Sequence, residues 1–209
     1  MNCTLCKSDC FTEKYINSKR YYLCNNCKLI FVDKFHLLSD EEEIKRYQHH
    51  NNSINDEGYI NFLEQIITPT MQFLSKGMSG LDFGCGKEPV LAEILRAKNI
   101  SCDLYDIYFH KDLDTTKKYD FIFATECFEH FHNPYKEILL ITSLLKPSGI
   151  LSIMTELYQN VDKLKDWHYL RDSTHVCFYS VETFRYICKN FNLRVLYTDN
   201  KRVFVLIKD

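Results

Sequence analysis

Four cysteines open the chain in two matched pairs, Cys3-x2-Cys6 and Cys24-x2-Cys27, with 17 residues between the pairs. Each pair can present two thiolates to one tetrahedral ion, and the segment between them is long enough for a β-hairpin return, which is zinc-ribbon spacing. Four thiolates close the coordination shell, so zinc here is expected to be structural and to supply the folding energy that so small a segment lacks. A pair of redox dithiols is the competing reading, and Cys10 falls outside the pattern. A second group of residues lies in Met78-Ser79-Gly80-Leu81-Asp82-Phe83-Gly84-Cys85-Gly86-Lys87-Glu88-Pro89. Gly84 and Gly86 allow a tight turn and close approach of a ligand to the backbone, and Pro89 suits the first turn of a helix. Asp106 stands 20 residues beyond Gly86, where a doubly wound sheet places an acid to hold a ribose hydroxyl pair; Asp103 is its competitor. A third group contains Thr125 and Glu126 at the end of an apolar run, then Glu129 and His130, and further on His168, Asp172 and His175. These are candidate ligand contacts and candidate acid/base groups.

The elements that must position these groups follow from pattern. Tyr15-Ile16 and Tyr21-Tyr22-Leu23 read as strands of the cysteine unit, residues 1–35. Residues 36–77 read as a helical linker that caps the ligand site: Ser39-Asp40-Glu41-Glu42 is a capped, acidic helix start, and an amphipathic helix follows Gly58. Between them Tyr47–Ser53 is a polar loop whose His49 and His50 could hold a second metal or be simply solvated. Residues 78–209 then alternate. A strand precedes the glycine turn, and the helix from Val90 has apolar residues 90, 91, 94 and 95 on one face. Further strands are expected at 99–106, 119–124, 149–155, 193–197 and 202–208, with helices at 134–145 and 181–190 and a turn at 146–149. The four-residue link Thr198–Lys201 forces the last two strands to be antiparallel. Only about a dozen residues separate Asp106 from Tyr119, too few for an α-β unit, so that edge of the sheet should be worn down. The polar, aromatic stretch 166–176 is expected to form a lid over the active face.

Composition narrows the partners. A formal net charge of -2 gives no global case for nucleic acid or an anionic membrane. No apolar run is long enough to span a bilayer. Of the ten cysteines, those from Cys85 onward are scattered through apolar segments as reduced thiols are, and the N-terminus shows no signal pattern, so a cytoplasmic location is expected.

Leu81-Asp82-Phe83-Gly84-Cys85-Gly86, Asp106, Tyr119-Asp120-Phe121-Ile122-Phe123, Glu129-His130 and Leu145-Lys146-Pro147-Ser148-Gly149, in that order, resemble class I S-adenosylmethionine-dependent methyltransferases over roughly 78–209. With His50-x-Asn52-Ser53, Gly58-Tyr59, Phe62-Leu63, Tyr105-Asp106 and Asp172-x-Thr174-His175-x-x-Phe178-Tyr179, the whole chain is similar to bacterial methyltransferase-domain proteins that carry an N-terminal zinc ribbon. The resemblance implies an α/β fold with a Rossmann-like, mostly parallel sheet and an antiparallel last strand, and S-adenosylmethionine as cofactor. It implies that Asp82, Gly84, Cys85 and Gly86 line the methionine end, Asp106 holds the ribose, and Thr125 and Glu126 flank the donor. Two positions depart from the family: Pro89 replaces a third glycine, and the acid near the adenine has only Asp112 as a nearest equivalent. Methyl transfer from a sulfonium chiefly needs an aligned acceptor and exclusion of water. If a proton must leave, His175 is the favoured base, with His130 and His168 as alternatives and Glu129 or Asp172 as orienting partners. A small-molecule acceptor is expected. The rivals are RNA gripped by Lys7, Lys14, Lys19, Arg20 and Lys28 with Tyr21 and Tyr22 for stacking, a nicotinamide oxidoreductase, and a non-catalytic docking module.

Overall fold

The computed structural model describes residues 1–48 and 52–209, so His49 and His50, weighed above as metal ligands, lie outside the described residues. The chain begins with the antiparallel strands β1 (Phe11–Ile16), β2 (Lys19–Cys24) and β3 (Ile30–Val32). Asn17 and Ser18, both at positive φ, make the two-residue turn between β1 and β2, the geometry that matches the twist of a hairpin. Helix α1 (Asp40–Gln48) starts on an acidic first turn, and α2 (Glu57–Met71) starts on the side chain of Asp56, which accepts the Tyr59 N–H.

A βα alternation follows: β4 (Ser79–Phe83), α3 (Val90–Ala97), β5 (Ser101–Tyr105), β6 (Tyr119–Thr125), α4 (Pro134–Leu144) and β7 (Leu145–Met154). The two-residue strand β8 (Cys177–Phe178), α5 (Val181–Asn190), β9 (Leu193–Thr198) and β10 (Val203–Lys208) complete the order. The larger sheet runs β5-β4-β6-β7-β10-β9, parallel from β5 to β7, with β10 antiparallel to both neighbours, as expected. Alternation along the strands divides the core. Phe121, Phe123, Val203 and Val205 face α2 and α3, whereas Ile122, Ala124, Phe204 and Leu206 belong to the layer that holds Ile138, Ile141, Phe184 and Ile187 of α4 and α5. Residues 107–118 contribute one isolated bridge, Asp106 to His110, and β5 is the sheet edge. The 146–149 turn lies inside β7. Tyr119 pairs with Leu145 and Phe121 with Ile150, so Lys146–Gly149 bulges out with Ser148 at positive φ.

Two expectations are corrected. The stretch 166–176 is no lid: after two 3-10 turns (Val161–Asp166 and His168–Arg171) it runs into β8, which pairs antiparallel with β3 in a second sheet, β1-β2-β3-β8. Tyr169 and Thr174 are buried along this seam with their hydroxyls donated to Glu129 and Asp172, beside the apolar side chains of Leu170 and Val176. Nor is the cysteine unit almost coreless. Leu5, Leu29, Ile30 and Phe31 are buried in the same cluster as Phe178, Tyr179, Phe128 and Leu151. Among the described residues no helix is long and apolar enough to cross a membrane.

Candidate functional site

The turn after β4 is wired to the end of β5. The Tyr105 carbonyl accepts the N–H groups of Gly84 (2.8 Å) and Cys85 (3.1 Å). Asp106 Oδ2 accepts the Gly86 N–H at 3.1 Å, while Oδ1 accepts those of Tyr108 (2.8 Å) and Phe109 (3.0 Å). One carboxylate therefore shapes both loops. Gly84 (φ 80) and Gly86 (φ 68) occupy the left-handed region; a Cβ on Gly84 would meet Cys127, whereas one on Gly86 would meet nothing within 4 Å. Asp82 sits behind this turn, 3% exposed, beside the first turn of α3. Burial and the nearby Asp106 charge push its pKa up to about 7.

The turn opens on a cavity of about 650 Å³ at the C-terminal ends of β4, β5 and β6, where parallel sheets bind ligands. Gly84, Cys85, Gly86, Asp106, Thr125, Glu126, His130 and His175 line it together. Asp82 stays behind the turn. His168 is not among the lining residues; its side chain is 66% exposed and turned to Glu156 at 3.4 Å. Asp112, the nearest candidate for the adenine, is exposed and away from the lining.

Glu126 follows β6 in the left-handed region (φ 49), a conformation costing about 1–2 kcal/mol for a non-glycine residue. Its Oε1 and Thr125 Oγ1 are buried without a hydrogen-bond partner among the described residues. Glu129 is fully buried; Thr155 Oγ1 donates to its Oε2 at 2.8 Å and the Tyr169 hydroxyl donates to its Oε1. Burial raises the pKa of both glutamates, and for Glu126 the Glu129 charge adds to it. His175 Nδ1 lies 2.7 Å from the Tyr169 carbonyl and His130 Nδ1 3.0 Å from that of Thr174, which puts Nδ1–H on each ring. Burial depresses the His175 pKa, so the ring is neutral at pH 7.

Helix α1 roofs the cavity with Asp40, Glu43 and Tyr47. Glu43, 4% exposed, accepts from the Tyr108 hydroxyl at 2.7 Å and lies 2.8 Å from His132 Nε2. Arg46 grips Asp172 Oδ2 through Nε (3.1 Å) and Nη2 (2.8 Å). Against the cost of burial, Arg46 and Thr174 hold Asp172 well below the usual carboxylate range. Sequence reasoning missed Glu43, Tyr47, Tyr108 and His132. The available signal was an acid and an aromatic four residues apart on α1, positions 43 and 47, which face the same way on a helix.

In the N-terminal unit Cys3, Cys6, Cys24 and Cys27 converge, all four sulfurs lying within 4.8 Å of one another. Cys3 Sγ is 3.6 Å from that of Cys27, and Cys6 Sγ 3.4 Å from that of Cys24. Tetrahedral thiolates about 2.3 Å from zinc stand roughly 3.8 Å apart, so these four could bind a metal. Cys10 is exposed and outside the group.

A protein-family model described as a methyltransferase domain matches residues 47–198, a range that contains the glycine turn, Asp106 and most of the cavity but not the four cysteines. No curated protein sequence matches the chain significantly. The fold is similar to that of an O-methyltransferase family protein from Burkholderia thailandensis, at 16% identity and a TM-score of 0.54, covering 79% of this chain and 62% of that one. Magnesium protoporphyrin IX methyltransferase from Synechocystis PCC 6803, solved with bound SAH, gives 14% and 0.52, with coverages of 81% and 94%. The mitomycin 7-O-methyltransferase gives 12% and 0.51, with 81% and 67%. The chain thus spans less than two thirds of the Burkholderia protein. S-adenosylmethionine is the donor that the fold implies. With the model matching well over half its length, the chain belongs to the methyltransferase-domain family.

Proposed function

We propose that this protein transfers a methyl group from S-adenosylmethionine to a small-molecule acceptor held in the cavity beneath α1. The observation that carries the proposal is the pair of buried, unpartnered oxygens, Thr125 Oγ1 and Glu126 Oε1, in the same cavity as Asp106 and the glycine turn. A buried polar atom without a partner costs about 1–3 kcal/mol, and a ligand rich in hydroxyl and ammonium donors relieves that cost. When bound, S-adenosylmethionine supplies a methyl group already activated on a sulfonium sulfur. Asp106 is the residue to hold the ribose hydroxyls, and Gly84, Cys85 and Gly86 bring backbone to the methionine end.

The acceptor half lies towards His130 and His175. Tyr47, Tyr59, Phe62 and Tyr108 form an apolar cover that keeps water from the transfer. His175, neutral and with its lone pair on Nε2, can take the proton from an acceptor that must lose one. A cavity of about 650 Å³ lined by aromatic and acidic side chains favours a small molecule over RNA. So do Tyr21 and Tyr22, the candidate stacking rings, which are only 3% and 4% exposed, and Arg20, which lies 2.6 Å from Asp33. The four cysteines are read as a structural zinc site that holds the first hairpin and β3 together.

Calorimetry with S-adenosylhomocysteine tests the donor site. The wild type is expected to bind, and Asp106→Asn to bind about 100-fold more weakly while keeping its far-UV spectrum, because charge-assisted bonds to hydroxyls contribute roughly 1.5–3 kcal/mol each. Absence of both binding and a rise in melting temperature in the wild type would overturn the proposal.

A further inference from the structure

One cluster in the cavity has no need to exist for methyl transfer alone. Glu129 and His130 sit on the 3-10 turn Phe128–His130, and His175 sits just before β8. One candidate ligand atom from each of the three lies within 4.8 Å of the other two. We propose that Glu129, His130 and His175 bind one divalent transition-metal cation, on the wall of the cavity that faces the acceptor.

Geometry argues for it first. Ligand atoms about 2.1 Å from a cation stand roughly 3–4 Å apart, so a small contraction of the cluster closes the site. The rings are already oriented as metal ligands are. Each Nδ1 faces a backbone carbonyl, Thr174 for His130 and Tyr169 for His175, and this outer contact places the lone pair on Nε2. The carboxylate is braced in the same manner, by the Thr155 and Tyr169 hydroxyls, and the Glu129 carbonyl accepts the Val176 N–H at 2.8 Å, tying the turn to the segment that carries His175.

Charge argues for it independently. Glu126 and Glu129 share the Tyr169 hydroxyl, and Glu126 Oε1 is buried with no partner. Among the described residues neither carboxylate forms an ion pair with lysine or arginine; Arg202, whose charge acts on Glu126, is 3.2 Å from Glu156. Two acids buried side by side need a positive charge or a proton, and the cluster has the donors to hold the former. Two imidazoles and one carboxylate suit cations from manganese to zinc, unlike the four thiolates at the N-terminus. Three protein ligands leave coordination positions open towards the cavity. Resting on the methyl-transfer reading, this assigns the acceptor to small molecules with an oxygen atom able to ligate the cation; with the cation bound, the Nε2 lone pair of His175 is engaged and the ring orients the acceptor without taking its proton.

The test uses the full chain loaded with a single equivalent of zinc, which the four thiolates take first, and titrated with Mn2+, which thiolates bind poorly, while the free ion is counted by electron paramagnetic resonance. One Mn2+ per chain is expected, with affinity reduced at least 10-fold in His175→Gln and in Glu129→Gln. Failure of the wild type to bind Mn2+, or equal binding by folded variants, overturns the inference and leaves the three residues as a hydrogen-bonded wall. S-adenosylhomocysteine calorimetry on the same samples separates the two proposals: Mn2+ binding without it removes the methyl-transfer reading and the acceptor class, and keeps the cation site.

Discussion

At the scale of single residues, Tyr169 joins more of the site than any group named from sequence. Its hydroxyl donates to Glu129 and lies 3.4 Å from Thr155 Oγ1 and from Glu126 Oε2, and its carbonyl faces His175 Nδ1. Tyr169→Phe removes the donor and leaves a buried carboxylate oxygen exposed to no substitute. A loss of about 1–3 kcal/mol is expected, read as a lower urea midpoint with unchanged slope. The two glycines of the turn should differ. Gly86→Ala meets no atom and costs about 1 kcal/mol for its left-handed backbone, whereas Gly84→Ala adds a clash, its Cβ 2.6 Å from that of Cys127, and should lower the melting temperature further. The glycine turn, Asp106, His130 and His175 were legible because their chemistry shows as residue type at a fixed spacing from a strand. Tyr169 was not: its partner Glu129 is 40 residues away, and nothing local distinguishes a tyrosine that braces an acid from one that lines a wall.

At the scale of elements, α1 is the cover, and its attachment titrates. His132 is raised from its ordinary 6.5 by its bond to Glu43; that contribution is complete below 6.5 and is lost as the pH rises through the raised value. Glu43, in spite of burial, is lowered from 4.5 by His132 and Tyr108; its contribution is present above 4.5 and is lost as the pH falls through the lowered value. The attachment is therefore strongest between about pH 4.5 and 6.5. Hydrogen exchange over residues 40–48, corrected for intrinsic rate, should be slowest in that window and faster near pH 8. His132→Gln should flatten the profile, while Arg46 and Asp172, both charged throughout, keep a constant hold. An exchange profile independent of pH in the wild type would count against this role for α1. The helix was legible from its acidic start at Asp40, but its roof position was not visible in side chains, since His132 and Tyr108 reach Glu43 from distant segments. The stretch 166–176 misled for the opposite reason: a polar, aromatic composition looks like surface, yet its groups satisfy one another inside.

At the scale of the whole molecule, the N-terminal strands and the methyltransferase body share one core through β3 and β8. If the four cysteines hold zinc as proposed, removing it should therefore lower the melting temperature of the entire chain in one transition instead of releasing a separate module. Cys24→Ser, with the loss of one of four converging thiolates, should do the same, and differential scanning calorimetry reads both. Two resolved transitions would show that the shared core does not couple them. Strands β1 and β2 were legible from the cysteines and from Tyr15-Ile16 and Tyr21-Tyr22-Leu23, but β3 has three residues and β8 only two, too few for alternation to betray them. The β3–β8 pairing also sets a timetable. Ile30 and Phe31 find Phe178 and Cys177 across roughly 150 residues of sequence, which takes roughly 7–30 s to synthesise at ribosomal rates of about 5–20 residues per second. For that interval the outer edge of β3 is an unpaired strand carrying apolar side chains, open to any other extended chain. If Cys3, Cys6, Cys24 and Cys27 take up a metal as soon as they emerge, as the proposed zinc site requires, it would hold that edge in place, and the yield of folded protein would then rise with the zinc available during synthesis.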